Sequence, residues 1–167
     1  MAPVSPMFRT ACIWVTWFLL LAAHPAEAET FDEKYSKMIS DDAAREAIRL
    51  ALTKIDKATC ESNRPCAAAK AEEFTQTPIT LVDGRAAMVF AIKSALAQWC
   101  GLDWRRSFLP MIAFGKLHEK MNDRQLQLMT LIHGDFQTRQ FILYTKSGQC
   151  PAQLREQLDA QLPKLDR

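Results

Sequence analysis

The sequence predicts an all-α fold, a disulfide-braced bundle of five or six helices after a cleaved signal peptide. Three observations carry this. Apolar residues recur at helical spacing through most of the chain beyond residue 40. Capping and stop residues fall between those runs. An even set of four cysteines (Cys60, Cys66, Cys100 and Cys150) remains once the N-terminal segment is set aside. At 167 residues, 49% of them hydrophobic and 24% charged, the chain has the size and composition of one globular domain.

The first segment reads as an export signal. Arg9 supplies a weak basic region, residues 11–23 are apolar apart from Thr16, and Ala26-Glu27-Ala28 fits the small-x-small cleavage rule. A helix over that apolar stretch is about 20 Å long against roughly 30 Å of hydrocarbon, too short for a spanning anchor. Residues 1–28 are therefore assigned to a signal peptide and 29–167 to a single helical domain that does not span a membrane. Cys12 leaves with the signal, so the remaining cysteines enter an oxidising compartment. That compartment is expected to be the periplasm, with an extracellular location as the alternative.

Two disulfides are expected, and of the three connectivities the pairing 60–66 with 100–150 is preferred. Cys60 and Cys66 flank a short turn, whereas Cys100 and Cys150 lie at helix ends far apart in the chain. On a chain-entropy argument the long loop is worth about 4 kcal/mol and the short one about 2 kcal/mol.

Residues 29–39 read as a short lead-in helix or a strap on the core. Ser40-Asp41-Asp42 caps a helix and sets acidic residues at its positive end, and Ala44, Ala47, Ile48, Ala51, Ile55 and Ala58 carry one face over 41–58. Pro65 is expected to open a short alanine-rich helix over 66–74, which Pro78 separates from the next segment. Residues 79–82 alternate and read as an extended connector. Asp83 is then expected to cap a helix that runs to Trp99 and is apolar nearly all round, the mark of a helix buried in a bundle. Gly101 stands where a left-handed stop belongs, and Asp103 can cap a new start.

Over 104–121 the preferred reading places a helical turn first and begins the main helix with Pro110. Gly115 inside it points to close packing or a bend. Asn122-Asp123 caps the longest helix, 124–146, with Lys146 and Gly148 as its stop signals. Cys150-Pro151 opens the last helix, striped by Leu154, Leu158 and Leu162.

No pattern for catalysis or a cofactor accompanies this framework, and no cofactor is expected. The net charge of +2 lacks the clustered basic footprint of nucleic-acid binding, so no nucleic-acid partner is expected. His118 and His133 are weak metal candidates: with antiparallel helices, His118-Glu119 and His133-x-Asp135 would converge, but their spacing fits no metalloprotease motif. Ser94, Ser107 and Ser147 lack the context of a nucleophile. Trp99, Trp104, Phe108 and Phe114 form the densest aromatic group; the favoured reading builds the core around Cys100 from them, and the functional reading makes part of the cluster, rimmed by Arg105 and Arg106, an exposed patch for a partner protein. Only Trp104, Arg105 and Arg106 are left without a structural duty, and because Trp and Arg favour binding hot spots they are the candidate binding residues.

The expected function is that of an exported non-enzymatic interaction protein of the cell envelope, binding a protein or envelope component. Two alternatives accompany it: a small helical envelope hydrolase of muramidase-like type, and a periplasmic ligand or metal carrier. The hydrolase would draw two facing carboxylates from Glu72, Glu73, Asp83, Asp103, Glu119 and Asp135.

Overall fold

A computed structural model of the chain describes residues 37–60 and 63–165. The signal-peptide segment and residues 29–36 of the lead-in lie outside them. Among the described residues there are five α-helices and no strand: α1 (Asp41–Leu52), α2 (Leu81–Trp99), α3 (Arg105–Leu117), α4 (Asp123–Lys146) and α5 (Ala152–Gln161), with 3₁₀ turns at Ile55–Lys57 and Ala71–Phe74. None of these helices is long and apolar enough to cross a membrane.

Helix α2 is the centre of the bundle because its sequence leaves it no polar side. Gly84, Ala87, Met88, Val89, Ala91, Ile92, Ser94, Ala95, Leu96 and Ala97 are all buried, which requires neighbours around most of its circumference. Helices α1, α3, α4 and α5 all pack on it. Helix α4 runs beside α2 in the same direction: Gln125 donates to the Pro78 carbonyl at 2.8 Å near their starts, and Gln137 to Gln98 at 3.0 Å further along. Trp99 stacks on Tyr144 at the far end, with ring centroids 5.6 Å apart. Helix α3 is the return limb between them. Small residues bring the limbs close. A Cβ on Gly84 would stand 3.0 Å from Ile48 Cδ1 of α1, and one on Gly115 would stand 2.8 Å from Leu126 Cδ2 of α4. Close packing is thus the reason for a glycine inside α3.

The helix ends follow local chemistry. Ser40 caps α1 by accepting from the Ala43 amide at 3.2 Å. Asn122 and Gln125 form a reciprocal capping box at the start of α4. Helix α2 stops in a Schellman turn: Gly101 has φ of +72°, its N–H donates to the Gln98 carbonyl at 3.1 Å, and Leu102 N–H donates to the Ala97 carbonyl at 2.8 Å. Both disulfides join the expected partners, Cys60 to Cys66 and Cys100 to Cys150, with Cα separations of 4.9 and 5.0 Å.

Four local expectations are corrected. Helix α1 ends at Leu52 instead of continuing to 58, because the Thr53 hydroxyl donates to the Leu50 carbonyl and the chain tightens into a 3₁₀ turn that buries Ile55. Residues 66–74 are not an α-helix, and only Ala71–Phe74 form a 3₁₀ turn. Pro65 pairs with Thr59 in an isolated bridge, and Arg124 holds the following segment through the Ala67 carbonyl (2.6 Å) and Glu73 (2.7 Å). This half-buried guanidinium holds the Glu73 carboxyl below its ordinary range. The 79–82 connector is also partly helix: Thr80, not Asp83, is the N-cap of α2, and Asp83 closes the box by accepting from the Thr80 amide at 2.8 Å. Helix α3 begins at Arg105 and carries Pro110 inside it, because Asp103 already accepts from the Arg105 amide at 3.0 Å.

The two covalent links should differ in weight. Replacing Cys100 and Cys150 by alanine is expected to cost about 4 kcal/mol, against about 2 kcal/mol for the Cys60 and Cys66 pair. Urea unfolding of the two double variants checks the order.

Candidate functional site

The residues singled out by sequence are not gathered into one place. Trp104 stands half-buried at the head of α3 with its ring against Phe108 (5.7 Å between centroids) and His133 (6.3 Å). Arg106 has a structural duty that sequence did not supply. It is paired with Asp159, and its guanidinium donates to the carbonyls of Asp159 (2.9 Å), Leu162 (2.7 Å) and Pro163 (2.8 Å). One side chain of α3 thereby caps the C-terminus of α5, where carbonyls lack partners and a cation is favoured. Arg106 also keeps the Asp159 carboxyl below its usual range. Arg105 points to solvent, where its side chain is bound to nearby Asp103 at 2.7 Å. Of the three candidates it alone is fully on the surface.

His118 and His133 do not converge. Helices α3 and α4 are antiparallel, the arrangement that convergence would need, but Phe108 is level with His133 (4.9 Å between ring centroids) while Gly115 is level with Leu126. His118 caps the far end of α3, ten positions beyond Phe108, which places it about 15 Å along the axis from that level. It stacks on Phe114, with centroids 5.0 Å apart. Among the described residues no group of three His, Cys, Asp or Glu side chains is arranged to hold a metal ion. Four of the six carboxylates considered for glycosidic chemistry are held by other groups: Glu73 by Arg124, Asp83 in its capping box, Asp103 by Arg105, and Asp135 by Lys54 and Arg139.

What sequence reasoning missed is the partner of His133. Its Nε2 lies 2.9 Å from Ser94 Oγ, which is also 3.3 Å from the Trp104 carbonyl, so one hydroxyl connects α4, α2 and the head of α3. Ser107 completes the group by donating to the Phe90 carbonyl at 3.0 Å. A serine and a histidine at this distance are the elements of an activated nucleophile. Here Ser94 is fully enclosed, His133 is 2% exposed, and the rings of Trp104 and Phe108 cover the imidazole. The pair is a buried polar tie that fixes the register of three helices. The available signal was a serine and a histidine in otherwise apolar runs, at positions that face each other only once α2 and α4 are parallel.

The exposed face of α3 carries the surface feature. Leu109, Ala113 and Leu117 follow Arg105 at four-residue intervals on one stripe, with Phe114 beside it. Leu109 is 44% exposed, Phe114 52% and Leu117 74%, a concentration of uncovered apolar side chains on one short helix. Leu109 also edges a cleft of about 430 Å³ between α3, α4 and the residues Thr59, Cys60 and Asn63, lined by Phe108, Ile112, Lys116 and Leu126. No family model, curated protein or solved structure matches this chain, so its surface must be read on its own chemistry.

Burial pushes the His133 imidazole down to about 4, with the Phe90 carbonyl partly opposing the shift. The unfolded chain takes up this proton near pH 6.5 and the folded one only near 4, so the unfolded state holds more protons between them and stability falls as pH falls. Unfolding is expected to be easier by about 2 kcal/mol at about pH 5 than at about pH 8. The double replacement Ser94→Ala with His133→Leu, which leaves neither polar group alone, should remove most of that dependence in denaturant titrations. Trp104→Ala should lower stability by roughly 2–3 kcal/mol, read as a fall in melting temperature, because it uncovers this tie.

Proposed function

We propose that the protein is an exported, non-enzymatic interaction protein of the periplasm that holds a partner protein on the outer face of α3. The observation that carries this reading is the uncovered stripe of Leu109, Phe114 and Leu117 beside an open cleft. A stable helix needs one apolar face for its own core. Helix α3 has a second, and water is a poor partner for it. Arg105 at one end of the stripe is already paired with Asp103, and Lys116 and Lys120 at the other lie near Glu119 and Asp123, so the rim is close to charge balance and a partner with an apolar ridge is complementary to the face. Of the candidate binding residues, Arg105 belongs at the rim of this surface. Trp104 and Arg106 hold the helix in place from beneath.

Export is supported by the form of the N-terminal sequence and by two disulfides of the kind that persist in oxidising compartments. An interaction role needs no assembled catalytic group and leaves the Ser94–His133 pair in its structural position.

The test compares the wild-type protein with the double variant Leu109→Ser and Leu117→Ser, each used as bait in the compartment to which the chain is exported. Both positions are exposed, so the melting temperature should stay within about 0.5 kcal/mol equivalent of stability. Recovery of one partner at least tenfold higher with the wild type supports the proposal. Equal recovery by both baits, or no partner with either, overturns it.

A further inference from the structure

We propose a second binding site, distinct from the α3 face, in the trough between α1 and α4: a site for a medium-chain carboxylate of about seven or eight carbons. The trough holds about 220 Å³ and is floored by Met88 of α2, with Ala47 and Ala51 of α1 on one wall and Ile132 and Phe136 of α4 on the other. Met88, Ala51 and Ile132 are almost fully buried, so the floor belongs to the core and is continuous with it. The space exists because α1 presents alanines where α4 presents larger side chains. An apolar cavity of about 150 Å³ accepts benzene, so this volume suits a ligand of roughly nine non-hydrogen atoms.

Charge selects the head group. At one end Lys54, in the turn just past α1 (3.1 Å), and Arg139 of α4 (2.7 Å) share the single carboxylate of Asp135. Two cations against one anion leave a net positive charge at the mouth. Each cation also keeps donors beyond the bond it makes to Asp135, since an ammonium offers three N–H groups and a guanidinium five. Glu46, further along the rim, is neutralised by two 2.7 Å bonds from Arg49 and exerts little opposing field. A carboxylate entering at the Lys54–Arg139 end completes the count of charges while its chain covers Met88, Ala51 and Ile132. A cationic or uncharged amphiphile of equal length has the same floor and no such partner.

The experiment is a titration of the oxidised, signal-free protein, followed by carbon-detected methyl resonances of Met88 and Ala51, with octanoate, octylamine and octanol as probes below their aggregation concentrations. Octanoate should produce saturable shifts at both methyls, and octylamine and octanol should bind at least tenfold more weakly. Lys54→Gln with Arg139→Gln, both exposed positions, should bring octanoate to the affinity of octanol while leaving distant resonances unchanged. Ala47→Leu should fill the trough and abolish binding of all three. Absence of saturable octanoate shifts overturns the site. So does equal binding of octylamine, or undiminished octanoate binding by the Lys54→Gln, Arg139→Gln variant, whether or not Ala47→Leu folds. None of these outcomes bears on partner capture through α3.

Discussion

The structure depends on one constraint: α2 has no face that water can satisfy. Its buried run from Gly84 to Ala97 obliges the rest of the chain to supply cover on every side, and the other four helices are the means. Apolar burial alone would leave their sliding positions loosely set, since it is not directional. Direction comes from a few polar ties placed in that apolar setting. Ser94 to His133 fixes α4 against α2 at mid-length, Gln98 to Gln137 repeats the match one turn later, and Ser107 to the Phe90 carbonyl sets the depth of α3. The Ser94 and Ser107 bonds lie inside, where they are strong and costly to leave unmade, and the glutamine pair stands at the edge of the core, so a shift of one helical turn would forfeit several at once.

Sequence disclosed the features that a residue decides by itself. The start of α1 at Ser40, the capping of α4 at Asn122, the stop at Gly101 and both cysteine pairings are local or follow from position in the chain. It failed where a distant group sets the outcome. The alanines after Cys66 have good helix propensity, but the segment is claimed by Arg124, almost sixty residues away, which takes the Ala67 carbonyl and the Glu73 carboxylate. Arg106 looked idle because its partners are the last carbonyls of α5. The Ser94–His133 bond was invisible for the same reason: no spacing rule reports a parallel packing of two helices separated by a third. For the candidate binding residues, sequence did not tell that Trp104 and Arg106 turn toward the bundle and Arg105 toward solvent, because α3 is apolar on both sides and sequence does not say which one the bundle uses.

The two proposed sites differ in how the fold makes them. On α3 an apolar stripe remains after the core has been satisfied by Ser107, Met111 and Gly115 on the opposite side. Between α1 and α4 the cause is a deficit of side-chain volume, with alanines meeting a methionine floor. A stripe projects and suits a broad partner; a trough recedes and suits a slender one.

The Cys100–Cys150 bridge has a topological consequence. It closes a ring of chain that contains all of α3 and α4, and hence the whole of the uncovered stripe. The turn between those helices, where Lys120 is exposed and adopts φ of +50°, is a natural place for a protease to cut. A cut there opens the ring without detaching either limb. The nicked protein would migrate as one species until reduced and as two afterwards, and the stripe would stay anchored to the bundle through its lifetime among proteases.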